Sequence, residues 1–179
     1  MSILVIYGSS RKDGNSDTLA RTALKGVPHT EVHLMEKNIL PIEDKRHDPA
    51  GFRPLGDDYD EVIQAVREHD TLVFVTPLYW YGMSGLMKNF VDRWSQSLRS
   101  PHFDFKAEMA QKQAYVVITG GDNPRLKALP LVQQFQYIFG FMGMTFAGYL
   151  IGQANAPGDI EHDARALFEA GEWNKMWQK

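Results

Sequence analysis

The stretch LVFVTPLYWYGMSGLMKNFVDRW, residues 72 to 94, decides how the rest of the chain is read. Leu72–Val75 is a continuous apolar run with the length and β-branching of a strand buried on both faces, as in a parallel sheet. Pro77 cannot donate to a sheet ladder and ends the run. Leu78, Tyr79, Trp80 and Tyr81 follow, then a permissive Gly82 and a helix expected over Ser84–Ser97. In that helix Leu86, Met87, Phe90, Val91 and Trp94 recur at helical spacing and read as core or interface, while Lys88, Asp92 and Arg93 read as ion pairs or a solvated face. Three aromatic rings in a loop at a strand's C-terminal end stand where open α/β sheets bind ligands. A flat aromatic ligand suits such a shelf, although periodicity alone reads the same rings equally well as core.

Nearer the N-terminus, Ile3–Tyr7 is a short apolar run stopped by Gly8-Ser9-Ser10. The segment Gly8–Ser16, GSSRKDGNS, is small, polar and rich in backbone donors, and a helix is expected to begin at Ser16 as N-cap with Leu19, Ala20 and Ala23 on one face. Strand, polar loop and helix N-terminus together make a phosphate site, because loop amides and the helix dipole both favour an anion. Arg11 and Lys12 add positive charge. The loop has no Gly-Lys-Ser/Thr ending and no G-x-G-x-x-G spacing, so a monophosphate fits it better than a dinucleotide.

The remaining strands are expected at Thr30–Met35, Thr71–Thr76, Ala114–Ile118 and Thr145–Ile151. A helix follows Asp57/Asp58, another spans Leu129–Met142, and a last one spans Glu161–Ala170 before a tail with Trp173 and Trp177. Glu36–Asp57 reads as a long irregular loop, and Arg99–Lys112 as an irregular connector. Thr119-Gly120-Gly121 is a second small, glycine-rich turn at a strand's C-terminal end.

This alternation calls for a doubly wound α/β fold: a flavodoxin-like, five-stranded parallel sheet in the order 2-1-3-4-5 with helices on both faces, as one domain over residues 1–179. In that order the switch point lies between the first and third strands. The loops Gly8–Ser16 and Pro77–Gly82 then stand side by side, flanked by Thr119–Gly121. A ligand with a phosphate at one end and a flat ring at the other fits the crevice, and flavin mononucleotide (FMN) has that form. Gly120 and Gly121 would let backbone N–H groups approach the ring edge.

Composition narrows the function classes. At 179 residues and 44% hydrophobic content the chain suits one core, and a net charge of −3 without a basic stripe gives no footprint for nucleic acid. Without cysteine there is no disulfide, thiolate nucleophile or iron–sulfur ligation, which fits a reducing cytoplasm. No apolar run approaches the roughly 20 residues that span a bilayer, and Met1–Val5 reads as a strand rather than a signal peptide. The histidines read as surface or loop residues, and no metal site is expected from them.

GSSRKDGNSDTLA and TPLYWYGMSGLMKNFVDRW together resemble the two flavin loops of the NADPH-dependent FMN reductase family, over most of Ile3 to Gly121. The similarity is greatest to its iron–sulfur flavoprotein branch and that branch's cysteine-free relatives. Carried across residue by residue, the resemblance implies that Ser9, Arg11, Asn15 and Ser16 hold the phosphate. Pro77, Leu78, Tyr79 and Trp80, with Tyr81 and Gly82, would line the ribityl chain and ring, and Thr119, Gly120 and Gly121 would meet its polar edge. The Glu36–Asp57 segment lacks the cysteines that carry a cluster in that branch, which rules out a cluster of that type.

The expected activity is an FMN-dependent oxidoreductase that takes a hydride from NADPH or NADH and passes electrons to a small-molecule acceptor: a quinone, azo, nitro or flavin compound. The flavin carries the chemistry, so no catalytic acid or base and no metal are named. The resemblance implies a homodimer or homotetramer, while the charge and the lack of a long apolar run leave no nucleic-acid or membrane partner expected. Two readings from other classes are a flavodoxin-type electron carrier, disfavoured by the modest charge, and an FMN-binding regulatory or interaction protein without turnover.

Overall fold

The computed structural model describes residues 2–179. Its strands are β1 (Ile3–Tyr7), β2 (Thr30–His33), β3 (Thr71–Pro77), β4 (Gln113–Gly120) and β5 (Thr145–Gln153). They form a parallel sheet in the order β2-β1-β3-β4-β5, as expected from the sequence. The helices are α1 (Asn15–Ala23), α2 (Tyr59–Glu68), α3 (Gly85–Asp92), α4 (Trp94–Ser97), α5 (Phe105–Met109), α6 (Pro124–Lys127), α7 (Leu129–Met142) and α8 (Ala164–Trp177). No helix among the described residues is long and apolar enough to cross a membrane.

The continuous apolar strands are explained by burial on both faces. Ile3, Val5 and Tyr7 of β1, Val73 and Val75 of β3 and Val117 of β4 pack against α1 and α8. The alternate residues Leu4, Ile6, Leu72, Phe74, Val116 and Ile118 face α2, α3, α5 and α7. Phe74 lies at the centre of that second layer, with ring centroids 5.2 Å from Phe139, 5.9 Å from Phe135 and 6.1 Å from Trp94. Burying a side chain of this size contributes about 1.5–3 kcal/mol.

Several boundaries differ from those expected. Helix α1 begins one residue before Ser16, behind Gly14 at the N-cap, and Ser16 is buried inside the first turn. The second strand ends at His33, because the chain turns there through a 3-10 segment, Leu34–Glu36, that buries Leu34. The expected Ser84–Ser97 helix is two helices that meet at Arg93. The Arg99–Lys112 connector contains α5, capped by Asp104, whose carboxylate accepts from Ala107 N at 3.0 Å. Thr119 and Gly120 belong to β4, and only Gly121, Asp122 and Asn123 separate it from α6. Helix α8 runs through Gly171 into the tail, since Trp173 and Trp177 close an aromatic triangle on Tyr115 with centroids 5.1–5.3 Å apart.

The Glu36–Asp57 segment beyond its 3-10 start is irregular, but its base is closed by an ion pair buried under α3. Arg93, only 1% exposed, donates to Asp57 Oδ2 at 2.6 Å and to the Leu40 carbonyl at 3.0 Å. Asp57 also accepts from Leu40 N at 2.9 Å, and Asn38 N donates to Asp58 at 2.7 Å. Arg93 is therefore paired, as its spacing allowed, but in the interior. Lys88 and Asp92 pair with each other at the surface.

Candidate functional site

Beyond the carboxyl ends of β1, β3 and β4, three loops meet at the switch point of the sheet. The first, Gly8–Gly14, leads into α1. Gly14 offers no side chain to the first-turn amides, so the helix opens on uncapped donors, the arrangement that attracts a phosphate. Arg11 and Lys12 are exposed beside it. Ser9 is turned inward: its Oγ accepts from Arg11 N at 3.1 Å and donates to Arg11 O at 2.9 Å, shaping the loop around its own backbone. Ser10, passed over in the sequence, is the exposed hydroxyl, with Oγ 3.5 Å from Tyr79 OH.

The second loop is a two-residue hairpin turn. Tyr79 and Gly82 exchange both backbone hydrogen bonds at 3.0 Å, and the two residues between them are left-handed: Trp80 at φ 49° and Tyr81 at φ 64°. Positive φ at both central positions defines a type I′ turn, which ordinarily takes Asn-Gly. Two bulky residues held there are strained, and the Trp80 indole projects outward, 96% exposed. Tyr81 OH donates to Asp122 at 3.0 Å, so the turn is braced against the third loop. Pro77 is the last residue of β3, and Leu78 N donates to the Thr119 carbonyl at 2.7 Å.

Ser84 ties the first two loops together. Its Oγ caps α3 by accepting from Met87 N at 3.1 Å and donates to the Gly8 carbonyl at 2.5 Å, while its own N–H donates to Thr76 Oγ1 at 3.0 Å. Gly8 is required here, since a Cβ would lie 2.9 Å from that of Met87. In sequence terms Ser84 reads only as a helix start, and a small hydroxyl residue directly before an apolar helix is the signal of its further role.

At the third loop Thr119 is buried, and Gly120 lies against Leu78, whose side chain a Cβ would meet at 3.1 Å. A Cβ on Gly121 would come within 2.8 Å of Asn155 Oδ1, so its missing side chain makes room for a fourth segment, the β5–α8 connection. Asn15 holds that same segment. Its Nδ2 donates to Ala156 O at 2.9 Å, and its Oδ1 accepts from Gly158 N at 3.1 Å and Ile160 N at 3.3 Å. Only one Asn15 N–H bond remains for a ligand. The side chain of Ser16 turns toward Asp17, at 3.4 Å.

Asp17 is an electrostatic anomaly beneath the phosphate-like loop. It is buried, one carboxylate oxygen has no partner among the described residues, and burial pushes its carboxyl above the ordinary carboxylate range. The exposed Asp122 carboxyl is held low by hydrogen bonds from Lys127 and Tyr81. No group of three metal-ligating side chains occurs among the described residues. Cavities of about 460 and 540 Å³ lie elsewhere, beneath Ala50–Pro54 against α2 and α4.

The donor set fits FMN: uncapped amides, the exposed Arg11 and a Lys12 that pairs with Glu36 at one end, an exposed aromatic turn at the other, and glycine at the closest backbone approach between them. A family model described as NADPH-dependent FMN reductase matches residues 1–155. YwqN of Bacillus subtilis, named as an NAD(P)H-dependent FMN-containing oxidoreductase, is 53% identical over 171 residues, covering 95% of this chain and 94% of that protein. The iron-sulfur flavoprotein MJ1083 of Methanocaldococcus jannaschii is 31% identical over 108 residues, 55% of this chain and 54% of that one. Among solved structures, the Trp repressor binding protein from Bacillus subtilis superposes with a TM-score of 0.81 at 45% identity, covering 96% of both chains. An FMN-dependent NADH-azoreductase from Bacillus anthracis, in complex with FMN, shares the fold at a TM-score of 0.73 and 13% identity, covering 100% of both.

Proposed function

The chain belongs to the NADPH-dependent FMN reductase family, and from that premise we propose that it is a bound-FMN oxidoreductase serving a quinone, azo, nitro or flavin acceptor. The observation that carries the reading is the meeting, at one switch point, of an uncapped helix N-terminus and an exposed aromatic turn. Bound there, FMN supplies the site that accepts a hydride from NADPH or NADH and releases electrons to the acceptor.

The chain's own residues bind and orient. Arg11, Ser10 and the first amides of α1 take the phosphate, with Ser9 and Asn15 shaping the loop and Ser16 contributing its backbone N–H. Pro77, Leu78 and Gly82 frame the passage for the ribityl chain, and the rings of Tyr79, Trp80 and Tyr81 cover the isoalloxazine and exclude water. Thr119, Gly120 and Gly121 present backbone to its polar edge. Ser84 keeps the first and second loops in register, and Asp122 holds Tyr81. No side chain is assigned as acid or base.

Residues 1–179 are taken as one FMN-binding domain, in a cytoplasmic setting that suits a cysteine-free chain. A homodimer or homotetramer is supported by Tyr137 and Phe141, both exposed on one face of α7. The reading is tested by titrating FMN into flavin-free protein and then following NADPH oxidation with and without a quinone. Tight binding with acceptor-dependent oxidation supports it; absence of flavin binding refutes it.

A further inference from the structure

We propose that the β5–α8 connection, Asn155–Gly158, is a fourth wall of the flavin crevice, that Asn15 is the residue positioning it, and that the Asn155 carboxamide recognises the imide edge of the ring. The proposal rests on the FMN reading above and adds to it a segment that lies beyond the two flavin motifs.

Three observations carry it. First, the connection is held from 141 to 145 residues away by three hydrogen bonds: Asn15 Nδ2 donates to Ala156 O, and Gly158 N and Ile160 N donate to Asn15 Oδ1. Asn15 is the first residue of α1, so the helix that opens toward the phosphate also fixes this segment. Second, the connection is internally rigid: Asp159 accepts from Asn155 N at 3.0 Å and Ala156 N at 2.7 Å, and Ala154 N donates to the Gly120 carbonyl at 2.9 Å. Third, Asn155 lies over Gly121, the position expected to meet the ring's polar edge, and its exposed side-chain amide makes no hydrogen bond to the described residues.

A carboxamide carries a donor and an acceptor side by side. The imide edge of an isoalloxazine carries the complementary N–H and carbonyl. Asn15 therefore acts on the ring end through Asn155, whereas a phosphate ligand would act on the other end.

FMN and riboflavin separate these roles, because riboflavin has the ring and ribityl chain without the phosphate. Dissociation constants of both are measured by flavin fluorescence for the wild type, Arg11→Ala, Asn15→Ala and Asn155→Ala. Arg11→Ala is expected to weaken FMN and leave riboflavin unchanged. Asn155→Ala is expected to weaken both by the same factor, about three- to tenfold for one hydrogen bond, and to shift the bound-flavin absorption bands without changing the melting temperature of the flavin-free protein. Asn15→Ala is expected to weaken both ligands and to speed hydrogen exchange at Asn155–Ile160 beyond that of the sheet.

If Asn15→Ala weakens FMN alone, Asn15 is a phosphate ligand and the proposal is wrong. If Asn155→Ala leaves both constants and the absorption bands unchanged, the wall does not touch the ring and the proposal is again wrong. A wild-type protein that binds neither flavin overturns the crevice reading itself, an outcome distinct from either.

Discussion

Replacing Trp80 by asparagine is expected to stabilise the flavin-free protein while weakening its hold on FMN. Trp80 and Tyr81 occupy both left-handed positions of a type I′ turn. A side chain other than glycine pays roughly 1–2 kcal/mol for that conformation, and asparagine is among the few L-residues that adopt it readily. The indole is 96% exposed, so its removal exposes no core and breaks no hydrogen bond. The net gain is therefore about 1 kcal/mol, a rise of about 2–4 °C in Tm for a chain of this length. Loss of an aromatic partner should cost about 0.5–1.5 kcal/mol of FMN affinity, or up to about tenfold in Kd. Thermal and urea unfolding of flavin-free wild type and Trp80→Asn, with an FMN titration of each, measures both terms. A flavin-free variant no more stable than wild type would refute the claim of stored strain, and an unchanged Kd would remove Trp80 from the ring site.

Three further outcomes follow from buried groups. Asp57→Ala leaves the Arg93 guanidinium buried without its counterion and is expected to cost about 3–5 kcal/mol in urea unfolding. Burial opposes ionisation of Asp57, but hydrogen bonds from Arg93 and the Leu40 amide outweigh it and lower its pKa below 3.8, so this stability is present above about pH 4 and lost as pH falls through the folded-state value. Asp17 has the opposite sign. Its pKa is raised on folding, so its ionised form opposes folding at neutral pH, and Asp17→Asn should stabilise the protein at pH 7 with a gain that disappears below about pH 4. Gly8→Ala forces a Cβ against Met87 and the Ser84 hydroxyl and is expected to cost about 1–3 kcal/mol and to loosen FMN binding, read by unfolding and titration.

The parts of the fold set by continuous local pattern were legible in the sequence. Ile3–Tyr7 and Leu129–Met142 appear with the expected bounds because each is an apolar run with a sharp stop, Gly8 after the first and Gly143, in the left-handed conformation, after the second. Alternation of strands and helices then sufficed for the sheet order, and the sheet order for the neighbourhood of the three loops.

What escaped was decided by contacts distant in sequence. Gly171 reads as a helix end, yet α8 passes through it because Trp173 and Trp177 pack on Tyr115. Arg93 has the spacing of a surface charge, and only its meeting with Asp57 makes it interior. Asn15 matches a phosphate motif, while its partners lie 141 or more residues away. The left-handed turn at Trp80-Tyr81 has neither the asparagine nor the glycine that announces such turns, because the Tyr79–Gly82 backbone pair and the Tyr81–Asp122 hydrogen bond hold it against local preference.

The most direct test of the central claim is the visible absorption spectrum of the FMN-supplied protein before and after anaerobic addition of NADPH. The account predicts a bound-flavin spectrum that bleaches with NADPH and recovers when a quinone is added. A protein that takes up no flavin, or a bound flavin that stays oxidised with both NADPH and NADH, would contradict it.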